Sequence, residues 1–315
     1  MVKRLILAII IPVFFSSCAF FGSSAFPAAT SMDLGWFRSF DDINSFYILD
    51  NGVDEPLLVI TGNNLDPNGN RRILIFDTAL NIRQYITPFQ ENDNNPIYLS
   101  DGLGYVDHDG NYVIGNIVLS SQGTIDETTT YKSYPFPSSE SFTIFPYTDS
   151  SDQKFYIRIE SLSGLGYTEV YDETWNWVST SANGFGTNEV FVIPQSDFSS
   201  GDVNIVLNYS DVYSFSIKEL YENGMNNQSL NLTTPVFNAT NPEYSQWATR
   251  CDRGIFLSDT GSGDIVLLDS SGVEIERSHP NHSYGKIVTI DYDSDYYYKI
   301  VEDGDSYIMK ERVPF

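Results

Sequence analysis

Cysteine, histidine and cationic side chains are scarce in this chain of 315 residues, and each scarcity removes a class of protein. Two Cys cannot staple a disulfide scaffold. Three His are too few for a histidine-rich metal centre. Only 17 Lys+Arg oppose 42 Asp+Glu, and the formal net charge of −25 is interrupted by no basic block. Such a chain repels phosphate backbones, so no nucleic-acid partner is expected. Helical periodicity is also missing: no window of helical length carries a capped i, i+3, i+4, i+7 apolar stripe, and Tyr221–Gln228 is interrupted by Gly224. Nucleophile and phosphate-loop signatures are absent too, with no Gly-x-Ser-x-Gly, no Walker-type loop and no His-Glu-x-x-His, so no catalytic residue is assigned.

Aromatic residues are abundant instead. With 21 Tyr, 21 Phe and 4 Trp, and 41% hydrophobic residues in all, the chain can bury a large core.

The N-terminus carries an address. Lys3 and Arg4 precede an apolar run, Leu5–Phe15, that is too short for a bilayer span of about 20 residues but suits a signal-peptide core. The run ends in Phe15-Ser16-Ser17-Cys18, which resembles the lipobox of bacterial lipoproteins, with Phe15 where Leu is commoner. The resemblance covers the first 18 residues. It implies removal of residues 1–17, lipidation of Cys18 as the mature N-terminus, and a tether over 18–33. Two or more acyl chains anchor stably, so the implied partner is a membrane held through lipid. Ala19 resembles the residue that follows Cys in lipoproteins sorted to an outer membrane or cell surface. The rival reading is an ordinary signal peptide with Cys18 incidental; were that signal peptide eukaryotic, the sequons at Asn208, Asn227, Asn231, Asn238 and Asn281 would become glycan sites.

Residues 34–315 read as one all-β domain. Short apolar or alternating runs such as Leu57–Ile60, Ile73–Phe76, Phe155–Ile159, Val203–Leu207 and Ile287–Ile290 are broken by Asn, Asp, Gly and Ser. One unit recurs: an apolar strand, an acidic or small polar residue, a tight turn and a second strand. Its copies are Leu74–Ile82, Ile117–Ile125, Glu169–Trp177, Glu219–Gly224 and Val266–Glu274. The turn residues Asp77, Ser120, Asp172, Glu222 and Asp269 lie 43 to 52 apart. That period suits a four-stranded blade of about 40–50 residues. The pattern resembles a β-propeller of six blades, roughly 41–90, 96–135, 140–183, 187–235, 244–280 and 283–315. In that scheme Trp36–Phe40 pairs with the C-terminal strand to complete the last blade. A pair of β-sandwiches or an irregular seven-bladed ring fits the same strand signals.

Candidate chemistry is thin. Asp291, Asp293, Asp295 and Glu302 occupy positions 1, 3, 5 and 12 of a calcium loop, but Tyr296 stands where Gly is needed and Tyr296–Ile300 reads as a strand. Asp66–Asn70 and Asp107–Asn111 read as acidic hairpin turns that could hold calcium only weakly, so no cofactor or metal residue is assigned. His279 and His282 form the one close imidazole pair; Cys251 reads as a small buried residue, and Gly261–Gly263 as a turn. Trp175, Trp177, Trp247 and Tyr296–Tyr298 are the rings to watch for stacking on a sugar or peptide, with Trp175 and Trp177 expected on one strand face in blade-to-blade packing. The expectation is an envelope lipoprotein acting as a binding or scaffold module for a protein or glycan. The alternatives are a polysaccharide hydrolase or lyase using carboxylates at the propeller mouth, and a structural part of an envelope complex.

Overall fold

The computed structural model describes residues 30–33, 43–62, 72–86, 104–125, 129–136, 142–162, 165–183, 191–192, 203–208, 211–228, 237–238, 247–251, 253–259, 264–269, 273–278, 285–290, 295–303 and 305–313. They form six four-stranded antiparallel sheets and one helix, a β-propeller architecture. The chain begins with β1 (Thr30–Asp33). Sheet one is β2 (Ile43–Leu49), β3 (Leu57–Gly62), β4 (Arg72–Asp77) and β5 (Ile82–Ile86). Sheet two is β6 (Tyr105–Val106), β7 (Tyr112–Ile114), β8 (Ile117–Val118) and β9 (Thr130–Tyr131). Sheet three is β10 (Phe142–Thr148), β11 (Lys154–Leu162), β12 (Leu165–Asp172) and β13 (Trp177–Asn183). In sheet four, β14 (Phe191–Val192), β15 (Val203–Asn208) and β16 (Asp211–Ser216) lead into helix α1 (Ile217–Met225) before β17 (Phe237–Asn238). Sheet five is β18 (Trp247–Cys251), β19 (Gly254–Asp259), β20 (Asp264–Leu268) and β21 (Glu274–Ser278). Sheet six joins β22 (Gly285–Ile290), β23 (Tyr296–Asp303) and β24 (Asp305–Arg312) to β1.

Strand alternation explains the packing. Side chains of a strand point to opposite faces in turn, and here both faces of the middle strands are covered. Leu58, Ile60, Leu74 and Phe76 pack against Tyr298, Ile300 and Ile308 of sheet six. Their neighbours Leu57, Val59, Ile73 and Ile75 pack against Tyr112, Ile114 and Ile117 of sheet two. This is why β3 and β20 are buried at every position and carry the unbroken apolar runs Leu57–Ile60 and Ile265–Leu268. Each such Leu, Ile or Val contributes about 1.5–3 kcal/mol on leaving water. Outer strands lose the second layer, and β21 is exposed along most of its length. The same arrangement joins sheets two and three through Tyr105, Val113, Ile144 and Tyr156, and sheets five and six through Phe256, Ile265, Leu267 and Tyr297.

Two expectations are corrected. The strand that pairs with the C-terminal strand is Thr30–Asp33, in register Thr30↔Lys310 to Asp33↔Tyr307, a stretch assigned above to the tether. Trp36–Phe40 lies outside the described residues. The copy Glu219–Gly224 is helix, not strand and turn: Ser216 caps α1, accepting from the Glu219 amide while Glu219 accepts from the Ser216 amide.

Candidate functional site

The recurrent polar residue heads a five-residue turn. In Asp77–Asn81, Asp77 Oδ1 accepts from the amides of Ala79 (3.0 Å) and Asn81 (2.8 Å), and the Asn81 side-chain amide donates back to the carboxylate. The fourth residue, Leu80, takes a left-handed φ of 65°. The pattern repeats at Asp107–Asn111 with Gly110, at Ser120–Thr124 with Gly123, at Asp149–Gln153 with Asp152, and at Asp172–Asn176 with Trp175 in the left-handed position. Asp269 likewise accepts from the Val273 amide at 2.9 Å. The motif is an Asp or Ser side chain replacing backbone partners in a tight turn. Each turn joins the first and second or the third and fourth strands of a sheet, so all lie at the same end of their sheets.

Much of the acidity at this end is therefore structural. Burial alone would raise the pKa of Asp77, yet the Asn81 side chain and amide and the Arg83 charge outweigh it and hold the carboxyl below its ordinary value. Asp107 behaves alike: burial opposes, but Lys132 at 2.7 Å and Asn111 prevail. In Asp172 burial again opposes, but Asn176 and Thr174 prevail and hold the carboxyl below its ordinary value. The acidic turn Asp107–Asn111 is thus occupied by its own backbone and Lys132. Among the described residues no group of three or more His, Cys, Asp or Glu is arranged to hold a metal ion. Cys18, Asp66–Asn70, Gly261–Gly263, His279, His282 and Asp291–Ser294 lie outside the described residues, Asp295 is exposed, and Cys251 and Trp247 sit at the two ends of β18.

Beside the turns of sheets one and two is a cleft of about 250 Å³ lined by Asp54, Glu55, Leu57, Arg83, Ser121 and Gln122. Its acidic wall belongs to the loop between β2 and β3. Asn51 fixes that loop, accepting from the Val53 and Asp54 amides and donating to Asp54 Oδ2 and to the Gly110 carbonyl of sheet two, each at 2.8 Å. Arg83 Nη2 lies 2.9 Å from Glu55 Oε2 and 2.8 Å from Asp77 Oδ2. Arg83 owes its place to a β-bulge that follows the Asp turn, where Phe76 faces Ile82 and Ile75 faces Gln84.

A second constellation lies between sheets two and three. Trp175 stacks on Tyr156 at 4.3 Å and meets Tyr134 edge-on at 4.7 Å. Arg158, 1% exposed, lies 2.6 Å from Glu169 and 4.1 Å over the Phe136 ring, while Tyr171 donates to the same carboxylate. His108 Nε2 donates to the Phe155 carbonyl at 2.8 Å; burial lowers its pKa, so the neutral ring is favoured. Burial pushes the Tyr156 hydroxyl up to about 12. Sheet six has a parallel group, with Lys299 and Tyr297 both on Glu311. Trp175 is packed between sheets as expected, but it sits in the turn and not on a strand, and Trp177 is 59% exposed. Tyr297 and Tyr298 are both core. Sequence reasoning missed Arg158, Lys299 and Arg83, because a lone cation in an apolar strand carries no motif.

The fold and this end of it define a propeller-class body with side-chain-locked turns. No family model matches the chain, and no curated protein matches it. Solved structures similar to it include a luciferin-regenerating enzyme, at 8% identity over 91% of this chain and 96% of that one, with a TM-score of 0.48. The Dos1 propeller is 10% identical over 84% of this chain and 66% of its own, with a TM-score of 0.40. BBS1N in complex with ARL6DN is 8% identical over 91% and 96%, with a TM-score of 0.43.

Proposed function

We propose that this chain is a lipoprotein of the bacterial cell envelope, acylated on Cys18, whose propeller is a rigid binding or scaffold module for a protein or glycan at the outer membrane or cell surface. The observation that carries the binding role is the set of turns at one end of the sheets, each held by its own Asp or Ser so that neighbouring side chains are presented without an ordering cost at contact. The route of the chain supports the anchor: Thr30, 12 residues past Cys18, starts β1 opposite Lys310, whose Nζ lies 2.9 Å from the Thr78 carbonyl in the Asp77 turn. A tether of that length spans at most about 40 Å. It would leave the body from the turn-bearing end. The carboxyls of Asp77, Asp107, Asp172 and Glu274 are all held below their ordinary values by bonds within the body, as structural carboxylates are.

Mass spectrometry of the mature N-terminus from native membranes, with Cys18→Ala beside it, tests the reading. The expected result is a diacylglyceryl mass on Cys18 and release of the variant into the soluble fraction. An unmodified N-terminus overturns the anchor.

A further inference from the structure

Repeated sheets supply their own comparison. The bulge after the Asp turn recurs in sheets one, three and five, placing an extra residue before the outer strand regains register: Arg83, Val178 and Ile275. Two are aliphatic and one is a cation. The connection between the first two strands is a five-residue Asp turn in sheets two and three, Asp107–Asn111 and Asp149–Gln153, but in sheet one it lengthens to Asp50–Pro56 and carries Asp54 and Glu55. The turn between the third and fourth strands is headed by Asp in sheets one, three and five, but by Ser120 in sheet two. All three departures from the repeat meet at one place, the cleft between Glu55, Arg83 and Ser121. Part of this is structural, for Asn51 and the Glu55 carbonyl tie the long loop to Gly110 and Tyr112 of sheet two, but a repeat broken three ways around one concavity also marks a site.

We infer that this cleft binds a neutral, hydroxyl-rich ring, one saccharide unit of a larger glycan; the inference deepens the binding-module reading and rests on it. Charge excludes the alternatives in turn. An anion would meet Asp54, Glu55 and the −25 of the whole chain. A cation would find its place taken, for the Arg83 guanidinium already lies against both Glu55 and Asp77. A hydroxyl both donates and accepts, and the lining offers both: carboxylate oxygens of Asp54 and Glu55, the Ser121 hydroxyl, and the Gln122 amide. Arg83 adds donors, for its bonds to Glu55 and Asp77 use Nη2 alone and Nη1 has no partner among the described residues. The volume, below the roughly 300–1,000 Å³ of drug-sized pockets, suits a single ring.

The test is saturation-transfer NMR on the full mature protein in lipid nanodiscs free of sugar detergents. The probes are methyl glycosides of glucose, galactose, mannose and N-acetylglucosamine, with methyl phosphate and lysine amide as charged probes. At least one glycoside should receive saturation and the charged probes none. Ser121→Trp, on an exposed turn, should weaken that glycoside tenfold or more with an unchanged melting temperature, and Arg83→Lys should do so by removing the planar fork. No transfer to any glycoside, transfer unchanged by Ser121→Trp, or binding of methyl phosphate or lysine amide in its place overturns the site. These readouts are independent of the lipid mass on Cys18, so the two ideas fail separately. An unmodified Cys18 leaves the glycoside signal intact, and a silent cleft leaves the anchor.

Discussion

Protonating Asp107 would break more than one contact. Its carboxylate, 2% exposed, holds Lys132, two backbone amides of its own turn and the Asn111 side chain. Since its folded pKa lies below that of a free carboxyl, the stabilisation is complete above about pH 5 and is lost as pH falls through the folded value. Asp107→Asn leaves Lys132 largely buried without its charge partner and should cost about 3 kcal/mol at pH 7. Denaturant titrations at stepped pH should show the gap between wild type and variant constant near neutrality and closing as the pH falls below the ordinary carboxylate range. A gap that persists undiminished into acid would show that shape, not charge, holds the turn. The Asp-x-Asp-Gly-Asn sequence made this turn legible, because Gly in the fourth place announces a left-handed φ. Leu80 and Trp175 adopt the same conformation without that signal: tertiary packing sets them there, Leu80 within the contact of sheets one and six and Trp175 among four rings between sheets two and three.

At the scale of the element, helix α1 shows how a local signal can be masked by a single residue. Ser216-x-x-Glu219 is a capping box, and the buried positions Ile217, Leu220 and Gly224 fall at i, i+3 and i+7. Glycine breaks the apolar stripe in sequence but not in space, for a Cβ on Gly224 would stand 2.7 Å from Val170 Cγ2 of sheet three. Glycine is there so that the helix can lie against β12 and β13, where Ser179 Oγ donates to the Gly224 carbonyl. Gly224→Val should overpack that contact and destabilise by about 1–3 kcal/mol, whereas Ser216→Ala should lose only the cap, about 1 kcal/mol. Equilibrium unfolding in urea separates the two. Equal losses would mean that the helix does not bear on sheet three. Where periodicity of two governs, as in β3 and β4, the sequence was easily read; where one residue serves a neighbouring sheet, no local window contains the reason.

For the whole molecule, the six-sheet plan followed from spacing, since each sheet must fit its strands and turns into a nearly constant length of chain. The strand that completes sheet six did not. Thr30–Asp33 has almost no apolar signature, and only its register with β24 reveals it. A chain begun at residue 34, the boundary that composition suggests, should therefore expose the β24 edge. Its melting temperature should fall and light scattering should report association, as unpaired edges invite. A chain begun at residue 28 should behave as the complete body. Equal behaviour of the two would mean that β1 adds nothing to sheet six. The cleft between sheets one and two was invisible to sequence reasoning for a related reason: Glu55, Arg83 and Ser121 come from three separate loops or strands and meet only when two sheets pack.

The pairing of Thr30 with Lys310 also sets a clock. These residues are some 280 positions apart, so bringing them together costs about 5 kcal/mol of chain entropy by the loop-closure relation, recovered only if the intervening sheets have already folded and shortened the path. The outer strand of sheet six must therefore wait for the last residues of the chain to emerge. Any product cut short of β24 would carry an N-terminal strand with nothing to pair with, at the very end that is synthesised first.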